Sequence, residues 1–188
     1  MEVTAFVRNP AKLKTRHANL KVVQGDVLQQ NSINAAMKGQ DAVVCCLGAP
    51  ATKAGQLRSA GTKNIIHAMK ASGLSRLVCQ TSLGFDDSES VLQHTPFVFR
   101  KIIVPYLLKK TFLDHSLQEA HIKQSGLDWT IIRPGNLTNG RHTGNYREGF
   151  AYTDPTLQVK ISRADMADSL LRQLLTHHNS RQVVPVSY

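Results

Sequence analysis

The run Asp41-Ala42-Val43-Val44-Cys45-Cys46-Leu47-Gly48 decides the fold. It is continuously apolar and of strand length, without the alternation of a half-solvated strand. A strand reads this way when both of its faces are covered, which is the condition of a parallel sheet. Moving toward the N-terminus, Ser32 to Lys38 predicts a short helix closing on Gly39. Before it, Leu20 to Gln24 predicts a strand ending in Gly25-Asp26, and Val3 to Val7 a strand that stops at Asn9-Pro10, a helix-start signal. Toward the C-terminus, Leu57 to Ala71 carries Ile65, Ile66 and Met69 at helical spacing and ends before Gly73. Leu77-Val78-Cys79 then leads a fourth strand into Thr81-Ser82.

The remainder continues the alternation. Phe85 to Pro96 is polar and turn-rich and predicts a loop over the sheet edge. A long helix is expected over much of Tyr106 to Ser125, stopping at Gly126. Trp129 to Ile132 is a strand broken by Arg133-Pro134-Gly135, and Asn136 to Asp154 reads as irregular. Ser162 to Thr176 predicts a helix with Ser162 as N-cap. Val183 to Val186 is expected as an edge strand, where Pro185 is tolerated. Strands alternating with helices give βαβ units and an α/β fold: a doubly wound parallel sheet in three layers. No repeat, low-complexity tract or linker divides residues 1–188, so one domain is expected.

Six segments in order carry a resemblance. They are Val7 to Leu13, Gly25-Asp26-Val27, Asp41 to Gly48, Thr81-Ser82, Ser125 to Trp129 running into Arg133-Pro134-Gly135, and Ile161 to Asp165. Together they resemble the atypical short-chain dehydrogenase/reductase superfamily. The chain is most similar there to the biliverdin-IXβ reductase/flavin reductase branch, with NmrA-like proteins as relatives. The resemblance covers nearly the whole chain and implies a Rossmann-like NAD(P)-binding domain. One departure matters: the family opens with a strand, a Gly-x-x-Gly-x-x-Gly turn and a helix, about 30 residues that have no counterpart before Val3. Those glycines let backbone N–H groups reach the pyrophosphate at a helix N-terminus. The strand itself would sit between the first and third strands of this chain, so its absence leaves a gap of about 10 Å and two unpaired edges. A truncated product, from a misassigned start, is the expectation; a sheet that closes differently or a strand supplied by a neighbour are the alternatives.

What the resemblance implies about residues runs along the strand ends. Arg8 stands where NAD-specific domains place an acidic residue, and with Lys12 suits the 2′-phosphate, so NADP(H) is expected over NAD(H). Asp26 and Val27 resemble the pair lining the adenine pocket, and Leu47-Gly48 the backbone passing the central ribose. Thr81 and Ser82 are the catalytic candidates, with Ser82 polarising the acceptor or placing water. His115, after Asp114, is the third, although a solvated helix histidine is the plainer reading. Arg133-Pro134-Gly135-Asn136 resembles the loop whose backbone faces the nicotinamide. Tyr106 and Lys110 match the Tyr-x-x-x-Lys general-acid pair, but relatives place that pair at Thr111 and His115. Five residues turn a helix by roughly 500°, so the match reads as coincidence. No histidine has metal-ligand spacing, and no metal is expected.

Composition sets outer limits. The formal charge of +10 comes from 23 Lys and Arg against 13 Asp and Glu, scattered rather than striped. With 6% aromatics and no nucleic-acid motif, solvated helix faces and an anionic cofactor account for it, and no nucleic acid partner is expected. No apolar run approaches the roughly 20 residues that span a bilayer. No signal peptide is legible and the three cysteines read as free thiols, so a cytoplasmic protein without a membrane partner is expected, monomeric or weakly homo-oligomeric. The expected activity is NADPH-dependent reduction of a flat conjugated substrate: a flavin, a biliverdin-like tetrapyrrole or a quinone. The alternatives are an NmrA-like NADP-sensing regulator without turnover, and a remnant that no longer binds.

Overall fold

A computed structural model describes residues 1–50 and 55–188. Five strands form the main sheet in the order β3-β4-β5-β9-β7. Its members are β3 (Ala42–Cys45), β4 (Arg76–Gln80), β5 (Asp128–Pro134), β9 (Gln182–Ser187) and β7 (Arg147–Glu148). All neighbours are parallel except β7, which runs antiparallel to β9. The first two strands, β1 (Val3–Val7) and β2 (Leu20–Gln24), pair with each other in parallel as a separate sheet. No ladder among the described residues joins β1 to β3, so the break falls where the sequence reading places it. Val3, Val22 and Val44 are correspondingly exposed, although β-branched residues in parallel strands are ordinarily covered.

Helices α1 (Gln30–Ala36), α2 (Leu57–Ala71) and α3 (Lys109–Lys123) cover one face of the main sheet and α4 (Arg163–Thr176) the other. The period-2 alternation of the strands divides the core accordingly. Leu77, Cys79 and Ile131 meet Ile33, Ile65, Met69 and Ile122, while Val78, Ile132 and Val184 meet Met166 and Leu170. Ser162 caps α4 by accepting a hydrogen bond from Asp165 N at 2.9 Å, an interaction of about 1 kcal/mol. The β1–β2 sheet is tied to the body through Phe6, which packs into the first core. Gly25 makes this possible, because a Cβ there would lie 2.2 Å from the Phe6 ring.

Four expectations are corrected. The stretch Phe85 to Pro96 is no open loop: Asp86–His94 winds as a 3-10 helix that buries Val91 and Leu92. The helix before α3 starts earlier than Tyr106, as a widened π-type helix over Phe99–Leu108. Pro105 lies inside it and has no N–H to donate to a regular ladder. Within the stretch expected as irregular, β6 (Asn136–Thr138) pairs with β8 (Lys160–Ser162), and β7 joins the main sheet. Finally, β9 is not an edge, since β7 flanks it. Pro185 is tolerated because its carbonyl accepts Gly149 N at 3.0 Å on the short β7 side, leaving the β5 ladder intact.

Candidate functional site

The carboxyl ends of β3, β4 and β5 open into one cavity of about 700 Å³. Ligands of doubly wound sheets gather at this edge, because the loops there diverge to opposite faces. Leu47 and Gly48 follow β3, Ser82 follows β4, and Pro134, Gly135 and Asn136 form the wall beyond β5. From α3 come Thr111, Phe112 and His115, and apolar residues of the preceding helix, Phe99 and Ile103, complete the enclosure. The sequence-derived candidates thus fall in two groups. Leu47, Gly48, Thr81, Ser82, His115, Pro134, Gly135 and Asn136 share the cavity. Arg8, Lys12, Asp26 and Val27 lie beyond the break, at and after the ends of β1 and β2.

Individual placements refine these roles. Thr81 has its hydroxyl committed, donating to Glu119 Oε1 at 2.9 Å in a buried position. Ser82 is part-buried and donates to Leu83 O at 3.0 Å, so its oxygen retains acceptor capacity toward the cavity. Arg133 turns its side chain away from the cavity. It is fully buried, gives Nε and Nη2 to Glu119 at 2.8 and 2.7 Å, and gives Nη1 to Asp87 and Tyr152 at 2.7 and 3.1 Å. Only backbone from this position could face a bound dinucleotide. Val27 is a core residue packed against Gly61, where a Cβ would come within 2.8 Å of it. Asp26 folds back on the chain, accepting Leu28 N at 2.9 Å. Arg8 and Lys12 are exposed.

His115 is not a solvated helix histidine: it is 5% exposed and stacks on Phe85 with ring centroids 5.8 Å apart. Burial, reinforced by the nearby Arg58 charge, pushes its pKa down to about 4. The imidazole is therefore neutral at physiological pH. Gln118 donates its amide to Thr62 Oγ1 at 2.9 Å and to Cys79 Sγ at 3.3 Å, so its oxygen faces His115 Nδ1 at 3.0 Å. That assigns the proton to Nδ1 and leaves Nε2 as an acceptor. Tyr106 is 82% exposed, whereas Thr111 and His115 line the cavity. The Tyr-x-x-x-Lys match is thus on the wrong face, as its register implies.

Sequence reasoning missed Glu119 and Arg58. A signal for Glu119 existed: Thr111, His115 and Glu119 recur every four residues, one stripe of a helix turned toward the sheet. Burial alone would raise the Glu119 carboxyl, but Arg133 and then Lys123 outweigh it and hold the group below its usual value. Arg58, Lys160 and Arg163 line the cavity together with His94 and His115, and among the described residues no carboxylate does. Among the described residues no group of three or more His, Cys, Asp or Glu could hold a metal ion. No helix among them is long and apolar enough to cross a membrane.

At Gly48 a Cβ would meet no atom of the described residues within 4 Å, so the chain there is open. The pyrophosphate has no cradle among the described residues: the first N–H groups of α2, from Arg58 and Ser59, are both taken by Asp114. A family model described as NAD(P)H-binding matches residues 1–177. An uncharacterised chloroplastic protein of Arabidopsis thaliana is 28% identical over 198 residues, which span 98% of this chain and 67% of that protein. ChuY, an anaerobilin reductase of Escherichia coli O157:H7, has the same fold, with a TM-score of 0.79 at 22% identity over 99% of this chain and 84% of its own. A short-chain dehydrogenase/reductase of Veillonella parvula in complex with NADP gives 0.75 at 16% identity over 100% and 83%.

Proposed function

Because the chain belongs to the NAD(P)H-binding family, a family of Rossmann-like, oxidoreductase-type domains, we propose that it is an NADPH-dependent reductase of a flat conjugated acceptor. The acceptor class is a flavin, a biliverdin-like tetrapyrrole or a quinone, and the setting cytoplasmic. One observation carries the reading: the cavity brings Gly48, Ser82, His115 and Pro134-Gly135 around a single volume walled on its other side by Phe99, Ile103 and Phe112. Such a slot suits a planar apolar ring held against polar groups on one edge. That ChuY, an anaerobilin reductase, shares the fold supports the tetrapyrrole option.

A nicotinamide cofactor held here would supply the hydride. Ser82 and the His115 Nε2 orient the acceptor edge, and the apolar wall excludes water. Neither is an acid near neutral pH, so the proton that completes the reduction comes from solvent. Arg8 and Lys12 hold the 2′-phosphate and confer the preference for NADPH over NADH.

A second reading rests on that same lack of an acid: with Tyr106 exposed and His115 neutral, the chain could bind NADP as a sensor without turnover. A third, loss of binding, rests on the open break between β1 and β3. Fluorescence titration with NADPH and NADH, followed by a flavin mononucleotide reduction assay, separates them. The reductase reading expects NADPH preferred, the preference lost in Arg8→Ala, and turnover lowered in Ser82→Ala but unchanged in Tyr106→Phe. Tight NADPH binding without reduction of flavin, biliverdin or quinone selects the sensor. No binding of either nucleotide selects the remnant.

A further inference from the structure

Arg58, in the first turn of α2, is 6% exposed and lines the cavity. Its Nη2 donates to Ala49 O at 3.1 Å, but Nη1 has no hydrogen-bond partner among the described residues. The nearest carboxylate, Asp114, stands 3.6 Å from Nη1. Both Asp114 oxygens are already engaged, Oδ2 with Arg58 N at 3.0 Å and Oδ1 with Ser59 N and Oγ at 2.9 and 2.6 Å. Asp114 offsets the Arg58 charge at ion-pair distance but accepts no hydrogen bond from Nη1, and a buried donor without a partner calls for an explanation. A cation in the first turn also opposes the helix dipole, so the position is not one that α2 itself favours.

A second, independent group points the same way. Thr111 Oγ1, in a residue 8% exposed on the same cavity wall, also lacks a partner. Thr111 and Asp114 are three residues apart on one face of α3, which places Thr111 one turn from the contact with Arg58. Burial and the Arg58 charge together depress His115, so the field of this guanidinium extends to the cavity wall.

We propose that Arg58 and Thr111 form an anion subsite that seats a carboxylate of the acceptor, making the cavity selective for conjugated acids over neutral rings. Both atoms are sealed from the empty cavity, so seating the anion turns each side chain toward it: one carboxylate oxygen then accepts from Arg58 Nη1 and the other from Thr111 Oγ1. A singly charged carboxylate fits better than a phosphate, because Asp114 already stands beside the guanidinium. The inference rests on the reductase reading of this cavity for its substrate class, but not on turnover.

The test is equilibrium binding to the whole chain of biliverdin against its dimethyl ester, and of flavin mononucleotide against riboflavin, by fluorescence quenching. The acid should bind about tenfold or more tightly than the ester, as a hydrogen bond to a charged group implies. Arg58→Gln should erase that difference by weakening the acid alone, Arg58→Lys should restore part of it, and Thr111→Val should reduce it. NADPH affinity should stay unchanged in all three. Equal binding of acid and ester by the wild-type chain, or binding of neither, overturns the subsite without any variant. So does equal weakening of acid and ester in Arg58→Gln, or a loss confined to NADPH, which would make Arg58 a cofactor ligand. A preference for the flavin phosphate without one for the bile-pigment acid overturns the carboxylate assignment. Selective acid binding with no hydride transfer from NADPH would retain the subsite and remove the reductase reading.

Discussion

Glu119 of α3 and Arg133 of β5 meet through two parallel hydrogen bonds, Nε to Oε1 at 2.8 Å and Nη2 to Oε2 at 2.7 Å, with neither residue more than 1% exposed. The pair holds the cavity wall in place, because Glu119 also takes the Thr81 hydroxyl and Arg133 also reaches Asp87 and Tyr152. Removing one partner leaves the other charge buried and uncompensated. Glu119→Ala should therefore cost about 3–5 kcal/mol in urea unfolding. Replacing both residues by apolar ones of similar volume should cost less than the sum of the single changes. Additive single and double variants would show that the two groups do not act as a pair.

His115 gives a pH signature of its own. The unfolded chain binds a proton near 6.5, the folded chain only near 4. Between these values the unfolded state carries more protons, so stability falls as pH falls, and above 6.5 the contribution is complete. The full loss is about 3 kcal/mol. Urea melts at pH 7.5, 6 and 5 should show this slope in the wild type, and a shallower one in His115→Gln. An unchanged slope in the variant would place the proton uptake elsewhere.

Two glycines of the cavity should behave oppositely on substitution by alanine. At Gly135 a Cβ would lie 2.5 Å from Val159 C and 2.6 Å from Lys160 N, backbone that cannot swing aside. Gly135→Ala should lower stability by about 1–3 kcal/mol or more through overpacking. At Gly48 a Cβ would meet nothing within 4 Å. Gly48→Ala should melt within about 0.5 kcal/mol of the wild type, so any change in NADPH affinity there reports on the bound nucleotide alone. Thermal melts of the two variants side by side decide it.

Local chemistry made much of this molecule readable. The 15-residue amphipathic period of α2, the Ser162 cap and the apolar run of β3 depend on neighbours a few residues away. The α/β alternation follows from them, whereas the break between β1 and β3 was expected from the resemblance alone. Where the reading was corrected, the deciding partner was distant in sequence. Pro185 counted toward an edge strand until β7, nearly 40 residues earlier, was found beside β9. His115 read as a solvated helix histidine, yet Phe85, 30 residues earlier, stacks on its ring.

The sequence by itself determined the layers and the strand ends, because backbone hydrogen bonding and hydrophobic periodicity are local. Only the tertiary structure decided which polar side chains are satisfied. Thr81 finds Glu119 and Arg133 finds its carboxylates, while Arg58 Nη1 and Thr111 Oγ1 are buried in the cavity wall without partners among the described residues. A buried polar group is matched by whatever packing brings within about 3 Å, and that distance is set by how α2, α3 and β5 meet.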